Sequence, residues 1–251
     1  MREAVVRLRA AGLVVFTLAA CTAAPPEDGG TMADPVTDPV TDPGAVRPFT
    51  IDVSDDVLTD LGERLARTRL PEESPGVGWD QGTNRAYLEE LLAYWQDGFD
   101  WRAQERRLNE FEHFKTDVDG IDVHFIHERS ANENAVPLLL VHGWPGSFVE
   151  FADLIGPLTD PAAHGGDAAD AFHVVIPSLP GYGFSGKPTE TGYNPERMAD
   201  VLAGLMEKLG YDRYGAQGGD WGAIINRALA GNHGEHLIGL HTNFLISGPP
   251  R

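Results

Sequence analysis

The apolar positions of this chain follow three successive patterns, each implying a different kind of structure. Ala10 to Ala20 form a short uncharged run, preceded by Arg2, Arg7 and Arg9. At about 1.5 Å per residue, such a run is too short to cross a bilayer as a helix. Residues 47–110 then show helical spacing. Ser54 stands where a cap is expected, Asp55 and Asp56 fill the first turn, and Leu58, Leu61 and Leu65 share one face. Pro71, Pro75, Gly76 and Gly78 break that segment. Thr83 is the expected cap of a second helix carrying Tyr87, Leu88, Leu91, Leu92 and Trp95, with Gly98 at its end. Asp100 is the expected cap of a third, carrying Trp101, Gln104 and Leu108. These apolar stripes are expected to pack into a core.

From Phe111 the pattern changes. Val118-Asp119-Gly120-Ile121 is a tight-turn signal between two alternating runs, so a β-hairpin is expected. Pro137 to Val141 and Phe172 to Ile176 are short continuous apolar runs, as in strands buried on both faces. Asp200 to Leu209 and Trp221 to Ala230 have helical character, and Tyr211 to Gln217 and Leu237 to His241 are further strand candidates. Strands alternating with helices imply an α/β fold with a mostly parallel sheet.

Between the first run and Arg47 the chain is rich in Pro, Asp, Thr, Ala and Gly. It contains the repeat Asp34-Pro-Val-Thr37, Asp38-Pro-Val-Thr41, Asp42-Pro43. Such a segment buries no core, so residues 21–46 are expected to form a disordered spacer. The apolar run ends Leu18-Ala19-Ala20-Cys21, and Cys21 is the sole cysteine. This layout resembles the lipobox of bacterial lipoproteins. It makes residues 1–20 an expected signal peptide, Cys21 the expected lipidation site, and the protein an exported lipoprotein on the outward face of a bacterial cell membrane. A single cysteine excludes an intramolecular disulfide and a cysteine-built zinc site. The formal net charge of −19 argues against nucleic acid as a partner, because a polyanion needs a basic face. His233 and His236 lack the carboxylate spacing of a metal site, and no metal is expected.

The chemistry is concentrated in Gly218-Gly219-Asp220-Trp221-Gly222, between a strand candidate and a helical run. This is the small-x-nucleophile-x-small pattern of a nucleophile elbow, where the strained strand-to-helix turn requires Gly218 and Gly222 to be small. Asp at the nucleophile position selects attack on saturated carbon, through an alkyl ester on the carboxylate that water later cleaves. The tetrahedral intermediate of that cleavage needs N–H donors. The backbone N–H groups of Trp144, in His142-Gly143-Trp144-Pro145-Gly146, and of Trp221 are the candidates. The His142 side chain is expected to be structural, since in such folds the catalytic histidine follows the nucleophile.

Together with Pro177-Ser-Leu-Pro-Gly-Tyr-Gly-Phe-Ser185, these motifs resemble the microsomal-type epoxide hydrolase family of α/β-hydrolases. Arg47-Pro-Phe, Gly78-Trp-Asp and Tyr94-Trp95 are similar to that family's N-terminal region. The resemblance divides the chain into an N-terminal helical region at 47–110, wrapping an incomplete, parallel-rich hydrolase core at 111–251. It implies a small-molecule epoxide substrate opened by Asp220, lid tyrosines that protonate the epoxide oxygen, and a later histidine, oriented by an acid, that activates water. It implies no metal and no organic cofactor, and it says nothing of oligomeric state. Only 31 residues follow Asp220, and the lid, acid and histidine have no counterpart among them. His233, His236 and His241 come too early in chain order. Tyr182, Tyr193, Tyr211 and Tyr214 precede the elbow. A truncated and poorly active chain is therefore expected. Two alternatives stay open at this point: a haloalkane dehalogenase-like hydrolase, in which Trp221 binds halide, and a non-catalytic surface-anchored binding protein derived from a hydrolase.

Overall fold

The computed structural model describes residue 42 and residues 44–245. The expected signal peptide, Cys21 and nearly all of the spacer lie outside the described residues. The described body begins slightly earlier than Arg47, because the Gly44 carbonyl accepts from Thr116 Oγ1 at 3.1 Å and from Lys208 Nζ at 3.2 Å. No helix among the described residues is long and apolar enough to cross a membrane.

The hairpin expected around Asp119-Gly120 joins β2 (His113–Val118) to β3 (Ile121–Glu128), paired from His113↔Ile126 to Val118↔Ile121. Asp119 (φ 52°) and Gly120 (φ 75°) both take positive φ, as a two-residue hairpin turn demands. A short strand, β1 (Arg47–Pro48), pairs antiparallel with β2. Next come β4 (Val136–Val141), α4 (Ala152–Thr159), β5 (Phe172–Pro177), α5 (Pro195–Lys208), β6 (Tyr214–Gly218), α6 (Asp220–Asn232) and β7 (Leu237–Thr242). The seven strands form one sheet in the order β1-β2-β3-β5-β4-β6-β7. The pairs β5–β4, β4–β6 and β6–β7 are parallel, and the other three pairs are antiparallel. The sheet is thus evenly mixed rather than parallel-rich, because β1 to β3 add a meander to the parallel half.

Alternation across β4 and β5 divides the core in two. Leu139, Val141 and Val175 join a cluster with Phe125, Leu202, Leu205, Ile225 and Leu229, beneath α5 and α6. Leu140, Val174 and Ile176 join Ile126, Phe148, Phe151, Ile155 and Ile51 in a second cluster. These strands read as continuous apolar runs because both faces are covered.

The N-terminal helices are α1 (Asp55–Ala66), α2 (Arg85–Ala93), which runs into a π-helical turn at Tyr94–Gly98, and α3 (Trp101–Leu108). Asp100 caps α3 as expected, through Ala103 N–H. The cap of α2 is Asn84, accepting from Tyr87 N–H, rather than Thr83; Ser54 occupies the cap position of α1 without a side-chain bond. The expectation that all three stripes enter a core holds for α3 alone, whose Leu108 is buried beside Ile51. There Asn109 holds Ile51 at both N–H and C=O, at 2.9 Å each, and Glu105 Oε1 accepts from Val53 N–H at 2.8 Å. No residue of α1 or α2 is buried. Leu58, Leu61, Leu65, Leu91 and Trp95 instead line an open apolar groove of about 660 Å³ between them.

Candidate active site

The parallel half of the sheet brings the ends of β4 and β6 together, Val141 opposite Gly218. The two turns that follow these strands build the site. Asp220 opens α6 with φ 50°, a left-handed conformation strained for any residue but glycine. The expected elbow glycines are sterically obligatory. A Cβ on Gly222 would lie 2.0 Å from the Val141 carbonyl oxygen, and one on Gly218 would lie 2.7 Å from the Gly222 backbone. Both close approaches thrust Asp220 out of the turn, where it is exposed.

Both expected donors reach its carboxylate. Trp144 N–H donates to Asp220 Oδ1 at 2.9 Å, and Trp221 N–H bonds to the same group. The Trp144 bond, then the Trp221 bond, hold the Asp220 carboxyl below the usual carboxylate range, since each N–H favours the anion. The carboxylate is exposed, so an electrophile can reach it. Trp144 and Trp221 are exposed at 65% and 44%, so the surroundings of the Asp220 carboxylate are open to solvent. The open apolar groove between α1 and α2 lies elsewhere, and none of its lining residues belongs to this arrangement.

His142 is fully engaged away from the carboxylate. Its Nε2 accepts from Leu179 N–H at 3.1 Å, which leaves Nδ1 to donate to the Gly143 carbonyl at 3.0 Å. It ties the turn after β4 to the loop after β5, and burial lowers its pKa. His233 bonds Asp200 Oδ1 at 2.7 Å, His236 bonds the Asp212 carbonyl at 2.9 Å, and His241 is exposed on β7. No group of three His, Cys, Asp or Glu able to hold a metal occurs among the described residues.

Two family models match the chain: Epoxide hydrolase N terminus over residues 46–151, and alpha/beta hydrolase fold over residues 136–242. Over residues 46–242 the chain is similar to the epoxide hydrolase family. A Stigmatella aurantiaca (strain DW4/3-1) protein assigned as an epoxide hydrolase is 51% identical over 206 residues, which is 82% of this chain and 47% of that one. Epoxide hydrolase 1 of Oryctolagus cuniculus is 41% identical over 206 residues, 80% of this chain and 45% of that one. Among solved structures, the juvenile hormone epoxide hydrolase of Bombyx mori is 36% identical with a TM-score of 0.72, covering 80% of this chain and 53% of that one. The Aspergillus niger epoxide hydrolase is 34% identical with a TM-score of 0.73, covering 82% and 54%. The chain therefore spans about half the length of the relatives it matches. The N-terminal match is what favours the family over a haloalkane dehalogenase.

Within this family site, three residues escape the sequence reading. A Cβ on Gly143 would lie 2.5 Å from Asp220 Oδ1, and one on Gly219 would lie 2.4 Å from Asn243 Oδ1, so a side chain at either would displace a neighbouring side chain, where one at Gly222 would meet backbone. Glu150 Oε1 accepts from Gly143 N–H at 3.3 Å. Its carboxyl is pushed up by burial first, eased by the Gly143 bond, and pushed up again by the Asp220 charge. The only sequence signal for Glu150 is an acid seven residues after a turn glycine, which is indistinguishable from a surface residue.

Proposed function

We propose that this chain carries the nucleophilic part of an epoxide hydrolase site and forms an alkyl ester on Asp220 with a small-molecule epoxide. The observation that carries this is the Trp144 N–H bond to Asp220 Oδ1 at 2.9 Å, on a carboxylate that is exposed. Oδ2 attacks a ring carbon from the side opposite the C–O bond, which breaks. Its electron pair goes to the ring oxygen, which takes a proton from water. In the ester, Oδ1 is the carbonyl oxygen and keeps the Trp144 N–H, a donor that would stabilise the negative charge formed when water adds.

Hydrolysis is the weaker step. A general base is worth roughly 10²–10⁴-fold, and the histidines after the elbow are engaged elsewhere or exposed on β7. The ester is therefore expected to persist on the 251-residue chain. Intact-mass analysis after treatment with excess styrene oxide tests this. One adduct per chain that is lost in Asp220→Asn supports it; sustained diol production, or no adduct on the wild type, overturns it.

The proposal includes a location. Cys21, after a short apolar run and before an acidic Pro-rich segment, supports a lipidated N-terminus that tethers the domain to the outward face of a bacterial membrane. Wild-type protein should partition into detergent and Cys21→Ser protein should not. Equal partition of the two counts against the anchor.

A further inference from the structure

We propose that Glu150 is a positioning residue for Asp220, holding the turn after β4 so that the Trp144 N–H points at Oδ1. This rests on the assignment of Asp220 as nucleophile. The turn cannot orient itself through side chains, because Gly143 has no room for one beside Asp220. A glycine there leaves the backbone free to rotate, so its direction must come from hydrogen bonds made by other parts of the chain.

Two consecutive peptide planes are pinned in this way. Peptide groups are rigid, so fixing one end of a plane aims the other. The plane joining Gly143 to Trp144 has its carbonyl bonded to His142 Nδ1 at 3.0 Å and its N–H on Asp220 at 2.9 Å. The plane before it has its N–H on Glu150 Oε1 at 3.3 Å. Without Glu150, rotation about Gly143 would be restrained at one plane only.

Glu150 is itself held for this task. It lies in a 3-10 turn, Phe148–Phe151, started by Ser147, whose Oγ accepts from Val149 N–H at 3.3 Å. Phe148 and Phe151 on either side are buried in the second core cluster, which fixes the turn to the sheet. Gly146 leaves the carboxylate space, since a Cβ there would come within 3.4 Å of Oε1. Glu150 is exposed, and its carboxyl stays near the turn although partial desolvation there and the Asp220 charge disfavour its anion.

The test uses the full 251-residue chain and styrene oxide, following adduct formation by intact mass at a series of epoxide concentrations. Wild type is compared with Glu150→Ala, Glu150→Asp and Glu150→Gln. Asp keeps the charge but is one methylene short of Gly143; Gln keeps a carbonyl oxygen at full reach. One hydrogen bond to a charged acceptor changes a rate by about tenfold. The saturating rate constant is therefore expected to fall about tenfold in Glu150→Ala and Glu150→Asp, with half-saturation unchanged. Glu150→Gln should recover most of it. A folded Glu150→Ala at the wild-type rate overturns the proposal, as does a Glu150→Gln as slow as Glu150→Ala. Should Glu150→Ala fail to fold, Glu150→Asp against Glu150→Gln decides the same question. Absence of any wild-type adduct removes the nucleophile assignment, and this proposal with it. That failure differs from one in which wild type reacts and the variants match it.

Discussion

Trp144 and Asp220 meet across 76 residues of sequence through one backbone N–H, at 2.9 Å. The contact holds Oδ1 of the carboxylate on a backbone donor. It also joins the turns after β4 and β6 into a single structure, so a change at either turn should be felt at the other.

Asp220→Asn is the simplest test of the carboxylate's role. Asn tolerates a positive φ nearly as well as Asp and has almost the same shape. Adduct formation should be abolished while the melting temperature stays within a few degrees of wild type. Thermal melts alongside intact mass measure both. A large loss of stability would mean that the charge, rather than the geometry, holds the elbow together.

The reactivity of Asp220 should vary little with pH. Its folded pKa lies below the ordinary value, so the anion persists as pH falls from neutral through about 4, where a free Asp is half protonated. The adduct rate should be flat across that range and decline only below it. Single-turnover rates at fixed epoxide concentration check this, and a decline centred near 6 would point to a different titrating group.

Gly222→Ala should be severe. Its Cβ would sit 2.0 Å from the Val141 carbonyl oxygen, which is backbone in the centre of the sheet and has no freedom to yield. Overpacking on this scale costs about 3 kcal/mol or more. Gly231→Ala, with nothing within 4 Å, is the matched control in the same helix. Urea titrations of the two should differ by at least that amount, and comparable midpoints would contradict the elbow packing.

Acid should unfold the protein through a buried histidine pair. His113 Nε2 lies 2.7 Å from the Leu108 carbonyl, so it carries the proton and leaves Nδ1 to accept from His124 Nε2 at 2.9 Å. His124 Nδ1 then accepts from Ser178 Oγ at 2.9 Å. Burial lowers both pKa values, His124 to about 3, and burial lowers His127 to about 4. The folded values lie below the unfolded ~6.5, so the unfolded state binds more protons as pH falls. The stability is fully present above about 6.5 and is lost progressively down to the folded values. Each group contributes a slope of up to about 1.4 kcal/mol per pH unit. Urea midpoints between pH 7 and 5 should fall steeply, and less steeply in His127→Gln. Identical slopes would exclude His127 from the effect.

Self-association is expected through β7. Among the described residues it pairs with β6 alone, and Ile238, Leu240, Phe244 and Leu245 are exposed on or just after it. An unpaired edge with apolar side chains templates further pairing. Light scattering of the domain should show concentration-dependent assembly that Leu240→Lys reduces. No effect of that substitution would place the contact elsewhere.

The sequence made the elbow legible because its constraints are local. Gly218, Asp220 and Gly222 fall within five residues, and a steric rule links them. Trp144 was also legible, since a glycine turn after a buried strand is a recurring place for N–H donors. Glu150 was not, because its relation to Gly143 appears only when the 3-10 turn folds back. The stripes of α1 and α2 have the period of core helices, but period reports which face is apolar and not what covers it. The antiparallel β1–β3 meander was only half visible: its hairpin turn is written in Asp119-Gly120, whereas the two-residue β1 is too short to leave a pattern.

The short β1 strand also determines how the domain bears load. A pull on the chain ahead of Arg47 is met by the Gly44 bonds to Thr116 and Lys208, then by two residue pairs with β2 and the side-chain bridge from Arg47 to Asp122. In the strand order β1 is one edge, while β6, which delivers Asp220, is beside the opposite edge. The first place to give way under tension is thus five strands from the nucleophile. Peeling β1 would free a few residues and leave the β4–β6 turns in register, so the sheet acts as a mechanical fuse that isolates the elbow from strain on the preceding chain.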